Sequence, residues 1–233
     1  MTCPTTRRNF LTLAALAVTG TSATGCSLLE SDSTRPATDG PAEIAEPIEA
    51  SKTLIAYLSV PETDDPDDMT DDEENSTHVV DGTVYGNVQH LAQLVAARTG
   101  ADVFRIDTAE PLPLDHDTLE ELALEWQEQD VRPRLKEEVT NLADYDTVFI
   151  GYPIWWYDLP MPVHSFLDRH DLAGKTVVLF SVHGGSQLSG TDQVIAGRLT
   201  ESTVVSNAFT ISRGDMDASE DQINAWLDEV AVA

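Results

Sequence analysis

Five short apolar runs recur along the chain with helical stretches between them: TLIAYLS (53–59), VFRID (103–107), TVFIGYP (147–153), TVVLFSV (176–182) and roughly TVVSNAFTIS (203–212). Runs of this length, apolar at nearly every position, read as strands buried on both faces. The helical stretches are Val88–Arg98, Leu119–Gln129, Val163–His170, Gln193–Leu199 and Ser219–Val230, with Gly100 stopping the first and Ser219 placed to cap the last. Strict alternation leaves few folds open, because parallel neighbours need a crossover and right-handed crossovers put helices on both faces of the sheet. The expectation is one α/β domain over residues 52–233, a five-stranded parallel sheet in three α/β/α layers, with no internal repeat.

The third run carries the strongest hint of a binding site. Its strand stops at Gly151-Tyr152-Pro153 and delivers four aromatics, Tyr152, Trp155, Trp156 and Tyr157, into a loop. In open α/β sheets ligands sit beyond the carboxyl ends of the strands, and aromatic side chains there offer stacking faces for a flat aromatic cofactor. The alternative is structural, with one Trp anchoring the core beside a half-exposed neighbour. Trp126 and Trp226 fall on helices and are expected in the core.

Residues 1–25 read as an export signal. Arg7-Arg8-Asn9-Phe10-Leu11 precedes an apolar run too short to span a bilayer, and Ala23-Thr24-Gly25-Cys26 follows. This looks like a twin-arginine signal ending in a lipobox, so lipidation of Cys26 would anchor the protein on the extracytoplasmic face of a membrane. An ordinary secretory signal is the other reading of the arginine pair. Residues 26–51, rich in Ser, Thr, Pro, Gly and acids, read as a disordered tether. The two cysteines are Cys3, which would leave with the signal, and Cys26, so the expected domain has neither a disulfide nor a cysteine-based metal site.

Charge narrows the partners. There are 13 Lys+Arg against 41 Asp+Glu, a formal net charge of −28, and Lys occurs only at Lys52, Lys136 and Lys175. Such a chain repels nucleic acid. Its acidity suits either a salt-rich medium, where self-repulsion is screened, or docking of a basic redox partner. Much of it lies in a segment of about 60–85 that holds Asp64-Asp65-Pro66-Asp67-Asp68 and Asp71-Asp72-Glu73-Glu74. A solvated acidic loop is the favoured reading and a calcium site the minor alternative, since the spacing does not match a calcium-binding loop.

The order of the motifs resembles the flavodoxin-like family. Ser59 ends strand one, Gly86-Asn87-Val88 opens a helix, and Arg132-Pro133 precedes Asp144-Tyr145-Asp146. Then come Gly151-Tyr152-Pro153-Ile154-Trp155-Trp156 and the loop His183-Gly184-Gly185-Ser186. The resemblance covers about 52–230. It implies a doubly wound sheet of order 2-1-3-4-5 with flavin mononucleotide (FMN) held non-covalently at the switch point.

Carried over residue by residue, the phosphate would meet Ser59, Gly86, Asn87 and Val88, where a helix N-terminus offers free N–H groups. The ring would lie between Pro153, Ile154, Trp155, Trp156 and Tyr157 on one side and His183, Gly184, Gly185 and Ser186 on the other. His183 is either a polar contact to flavin or an ordinary loop histidine. Arg132 is expected to pair locally rather than bind substrate. The chain departs from the family pattern at Val88, where Thr is common, at Tyr157, where Gly is common, and at Gln187 and Ser189, which replace expected glycines. The long insertion after Ser59 has counterparts in close relatives.

The resemblance implies flavin-based electron transfer to an unidentified redox protein or small acceptor, with no side chain acting as catalytic acid or base. A NAD(P)H-dependent flavin or quinone reductase is one alternative, and a lipoprotein that has lost FMN is another. A hydrolase built on His183-Gly184-Gly185-Ser186 is disfavoured, since no G-x-S-x-G elbow is present.

Overall fold

The computed structural model describes residues 52–230. The export signal, Cys26 and the 26–51 tether therefore lie outside the described residues. Among the described residues no helix is long and apolar enough to cross a membrane.

The sheet is built from β1 (Thr53–Tyr57), β4 (Asp102–Arg105), β5 (Thr147–Pro153), β6 (Thr176–His183), β7 (Thr203–Val204) and β8 (Phe209–Ser212). A separate hairpin, β2 (Thr77–Val80) with β3 (Thr83–Gly86), belongs to the insertion. In the main sheet the order is β4-β1-β5-β6-β7, every pairing is parallel, and β8 also pairs with β6. Counting the main parallel positions gives 2-1-3-4-5, as expected. The fifth position differs from the single strand expected over 203–212. β7 pairs at Thr176–Val177 and β8 at Phe180–His183, and the chain leaves the ladder between them at Ser206-Asn207, where two polar residues interrupt the apolar run.

Alternate residues of each central strand serve opposite faces, the period-two rule of a pleated strand. Leu54, Ala56, Val148, Ile150, Val177 and Leu179 pack with Val163 and Phe166 of α4 (Met161–Arg169) and Ile195 of α5 (Thr191–Arg198). Ile55, Phe149, Val178 and Phe180 pack on the other face with Leu91 and Val95 of α2 (Asn87–Thr99) and Ile223 and Trp226 of α6 (Ser219–Val230). The strands read as continuously apolar because both faces are covered.

Two further helices differ from expectation. The acidic insertion is not all loop: α1 (Asp71–Ser76) starts at Thr70, whose hydroxyl accepts from Glu73 N–H while the Glu73 carboxylate accepts from Thr70 N–H. No residue of α1 is buried, so its acids remain in solvent. α3 (His116–Glu128), capped by Asp115, buries only Leu119 and Ala123. Trp126 lies one turn past that contact, half-buried and outside both core clusters, whereas Trp226 is buried and donates to Asn207 O at 2.8 Å. Arg132 pairs locally, with Asp130 at 2.6 Å and Asp168 at 2.9 Å.

Candidate functional site

A cleft of about 640 Å³ opens at the carboxyl edge of the sheet, between the ends of β1, β5 and β6. That volume lies in the range of small-molecule and cofactor sites, roughly 300–1,000 Å³. Of the sequence-derived candidates, Ser59, Asn87, Val88, the stretch Pro153–Tyr157 and the stretch His183–Ser186 all line it. Gly86 does not line the wall. It lies behind Ser59, where an added Cβ would meet Ser59 Oγ at 2.2 Å and Pro61 Cδ at 3.1 Å, so glycine there lets β3 pass close over the end of β1.

At the α2 end of the cleft most polar groups are already engaged. Ser59 is buried and its carbonyl accepts from Arg105 Nη2 at 2.9 Å. Asn87 is 5% exposed, and its Nδ2 donates to Asn75 O at the end of α1 at 2.8 Å. Its Oδ1 is buried without a partner. A buried acceptor of this kind is unfavourable unless a donor arrives, and a ligand hydroxyl is such a donor. Val88 packs into the core beneath α2, so its side chain serves the fold rather than the helix N-terminus.

The aromatic end is built differently. Trp155 and Asp158 exchange both backbone hydrogen bonds, at 3.1 and 2.9 Å, closing a two-residue turn around Trp156 and Tyr157. Both central residues have positive φ, 47° and 61°. Such turns favour Asn-Gly or Asp-Gly, and bulky residues in this region carry about 1–2 kcal/mol of strain each. Trp156 is 42% exposed and Tyr157 74% exposed. Trp155 is half-buried, packing partly against the core while still lining the cleft, whereas Tyr152, expected in the loop, is fully buried within β5 as part of the core. Trp156 Nε1 donates to Glu120 O on α3 at 3.0 Å, which fixes the turn against that helix.

Across the cleft, His183 is neutral and structural in its contacts: Nδ1 accepts from Gly185 N–H at 2.9 Å, and burial pushes its pKa down. Gln187 and Ser189, standing where glycines were expected, adopt positive φ of 54° and 51°. The loop keeps a glycine-type backbone path without the glycines.

Sequence reasoning missed a cluster at the rim. Glu62, 9% exposed, turns inward from the insertion and meets His116 Nδ1 at 3.0 Å. His116 Nε2 faces Glu120 at 3.4 Å and Asp72 at 3.9 Å. The hydrogen bond to Glu62, aided by the neighbouring carboxylates, pushes the His116 pKa up. Burial pushes Glu62 up despite that partner, so the pair favours protonation. Nothing in the sequence separates Glu62 from the other acids near it, and His116 is a lone histidine after a cap. Arg213, also missed, lines the cleft beside Gly184. Among the described residues no group of three or more His, Cys, Asp and Glu side chains is arranged to hold a metal ion.

A flat ligand with a polar tail fits these features: aromatic faces at one end, a glycine-rich loop opposite, and an unpartnered buried acceptor with a helix N-terminus at the other. The fold and cleft together define a doubly wound α/β protein with a cleft at the switch point of its sheet, where such folds place their ligands. A family model described as flavodoxin matches residues 79–230, and the chain belongs to that family.

Solved structures agree. A protein of Bacteroides eggerthii assigned as a flavoprotein is 29% identical, covering 79% of this chain and 100% of its own, with a TM-score of 0.59. A second such protein, from Bacteroides uniformis, is 25% identical over 76% of this chain and 99% of its own, with a TM-score of 0.56. A Lactobacillus acidophilus flavoprotein, crystallised with FMN, is 17% identical over 76% and 99%, with a TM-score of 0.52, a likeness of fold. No curated protein sequence matches the chain.

Proposed function

We propose that this protein binds FMN non-covalently and transfers electrons through the flavin ring, working outside the cytoplasm on a lipid anchor at Cys26. The observation that carries the reading is the strained aromatic turn at the end of β5, facing the glycine-rich loop after β6 across one cleft. Strain of this kind persists where the surrounding structure or a ligand makes use of it.

Trp155, Trp156 and Tyr157 would hold the ring by stacking, and backbone N–H groups of the loop from His183 to Ser186 would meet its polar edge. Asn87 Oδ1 would accept from a hydroxyl of the polyol chain, and the N-terminal amides of α2 would receive the phosphate. Bound flavin supplies one- and two-electron redox chemistry, and the chain's residues bind it, orient it and limit water at the ring. The sequence supports export through the twin-arginine motif at Arg7-Arg8 and anchoring through the lipobox at Cys26. The partner would be a redox protein or small acceptor meeting the cleft rim, and the negative charge disfavours nucleic acid.

Titrating the protein with FMN, while following flavin fluorescence and the visible spectrum at low and high salt, tests the reading. Saturable quenching is expected. Folded protein that leaves FMN fluorescence untouched would overturn it. Oxidation of NAD(P)H by the loaded protein would then mark a reductase, and its absence a carrier.

A further inference from the structure

Positive charge is scarce in this chain, and where it stands is informative. Five of the seven described arginines, Arg98, Arg105, Arg132, Arg169 and Arg198, are ion-paired. Arg213 forms no ion pair within 4.0 Å among the described residues, although Asp215 lies two positions on. It also lines the cleft.

Its place follows from strand register. His183 pairs with Ser212 in the parallel β6–β8 ladder, so the next residues, Gly184 and Arg213, leave the sheet side by side. A Cβ on Gly184 would stand 3.3 Å from Arg213 Cζ and 3.4 Å from Nε, so the guanidinium group lies against the glycine-rich loop. No Lys is among the lining residues, and the other ionisable groups with basic side chains there are His116, engaged by carboxylates, and His183, held neutral.

We propose that Arg213 is a cofactor-tuning residue: its guanidinium stabilises the negative charge that the flavin ring acquires on reduction and thereby raises the reduction potential. This rests on the FMN reading above. Oxidised FMN that takes up two electrons and one proton becomes a ring carrying one negative charge, delocalised over the polar edge that the loop amides meet. The electrons come from an external donor, a reduced pyridine nucleotide or reduced redox protein. The oxidised ring is neutral, so a nearby cation favours the reduced form over the oxidised one. The interaction is differential, which is the condition for shifting a potential. Being exposed, the guanidinium acts through a partly screened field, so its effect is modest and salt-dependent.

The test compares wild type with Arg213→Gln and Arg213→Lys, each loaded with FMN. The dissociation constant of oxidised FMN is read by fluorescence quenching, and the two-electron midpoint potential by equilibration with a reference dye. Arg213→Gln is expected to bind oxidised FMN within about twofold of wild type. Its affinity for the reduced form should fall by about three- to tenfold, which for a two-electron couple lowers the potential by about 14 to 30 mV. Arg213→Lys should recover most of the shift, and about 1 M salt should shrink it. An unchanged potential in Arg213→Gln with FMN still bound would overturn this role and leave the FMN reading intact. Wild type that binds no FMN would overturn both.

Discussion

Two turns in this molecule share one backbone geometry and have opposite sequences. The β2–β3 hairpin closes through Asp81-Gly82, with φ of 50° and 77°, and the Trp155–Asp158 hairpin closes through Trp156-Tyr157, with φ of 47° and 61°. Asp-Gly is among the sequences this turn prefers, because Gly adopts positive φ freely and Asp tolerates it. Trp-Tyr carries strain that a solvent turn has no reason to keep. The first turn sits on the insertion, exposed to solvent, and the second borders the cleft. Gln187 and Ser189 extend the pattern, since both hold positive φ in the facing loop. Of the seven described non-glycine residues with positive φ, the four that are not aspartate, Trp156, Tyr157, Gln187 and Ser189, lie on the two loops between which the flavin is proposed to lie, while Asp68, Asp81 and Asp130 are of a type that tolerates this geometry.

The largest effect that would break this comparison is on ligand affinity. Trp155→Ala or Trp156→Ala should weaken FMN by about ten- to a hundredfold through lost stacking and burial, read by fluorescence titration. Variants holding FMN like the parent would leave the aromatic turn without a binding role.

Stability should move in opposite directions in the two turns. Gly82→Ala places a Cβ at φ +77° with open space around it, so the loss is conformational, about 1 kcal/mol, with FMN affinity unchanged. Tyr157→Gly relieves strain at a side chain 74% exposed, and a gain of about 1 kcal/mol is expected, with FMN severalfold weaker. Denaturant melts of the two variants check the signs; a loss in both would show that the tertiary contacts of Tyr157 outweigh its strain.

At the other end of the cleft, Asn87→Ala should weaken FMN by about three- to tenfold. A direct phosphate donor would make FMN suffer more than riboflavin. With Nδ2 held by Asn75 O and Oδ1 buried without a partner, a role for Asn87 at the polyol chain predicts that the two ligands suffer alike. Parallel titrations with both flavins separate these roles.

The smallest effect concerns the rim. The folded His116 pKa is raised, so its stabilisation is complete below the unfolded value of about 6.5 and is lost as pH rises through the folded value. Wild type should exceed His116→Gln by no more than about 1 kcal/mol near pH 6 and match it near pH 9, by melts across pH. A difference that grows toward alkaline pH would contradict the imidazolium pairing.

Much of the architecture was legible because it rests on local patterns. Both-face burial made the central strands continuous apolar runs, and alternation with helices restricted the sheet to parallel order. The aromatic loop could be read because a Pro after a strand followed by adjacent Trp residues is unusual. The broken fifth strand was not legible, since Thr203–Ser212 reads as one run and only the ladder on β6 shows two separate contacts. The rim was not legible either. Glu62 and His116 are 54 residues apart, and no local signal marks one acid among many as the buried one.

The sequence by itself determined the central strands and the main helices that cover them, because hydrophobic period acts over a few residues, whereas the positive φ that both ring loops hold without glycines came only from the structure. Only the tertiary structure decided that Gly86 packs behind Ser59, that Asn87 holds Asn75, and that Arg213 lies on Gly184. These depend on strand register and on how the insertion folds back over the sheet, and register couples residues that the chain keeps far apart.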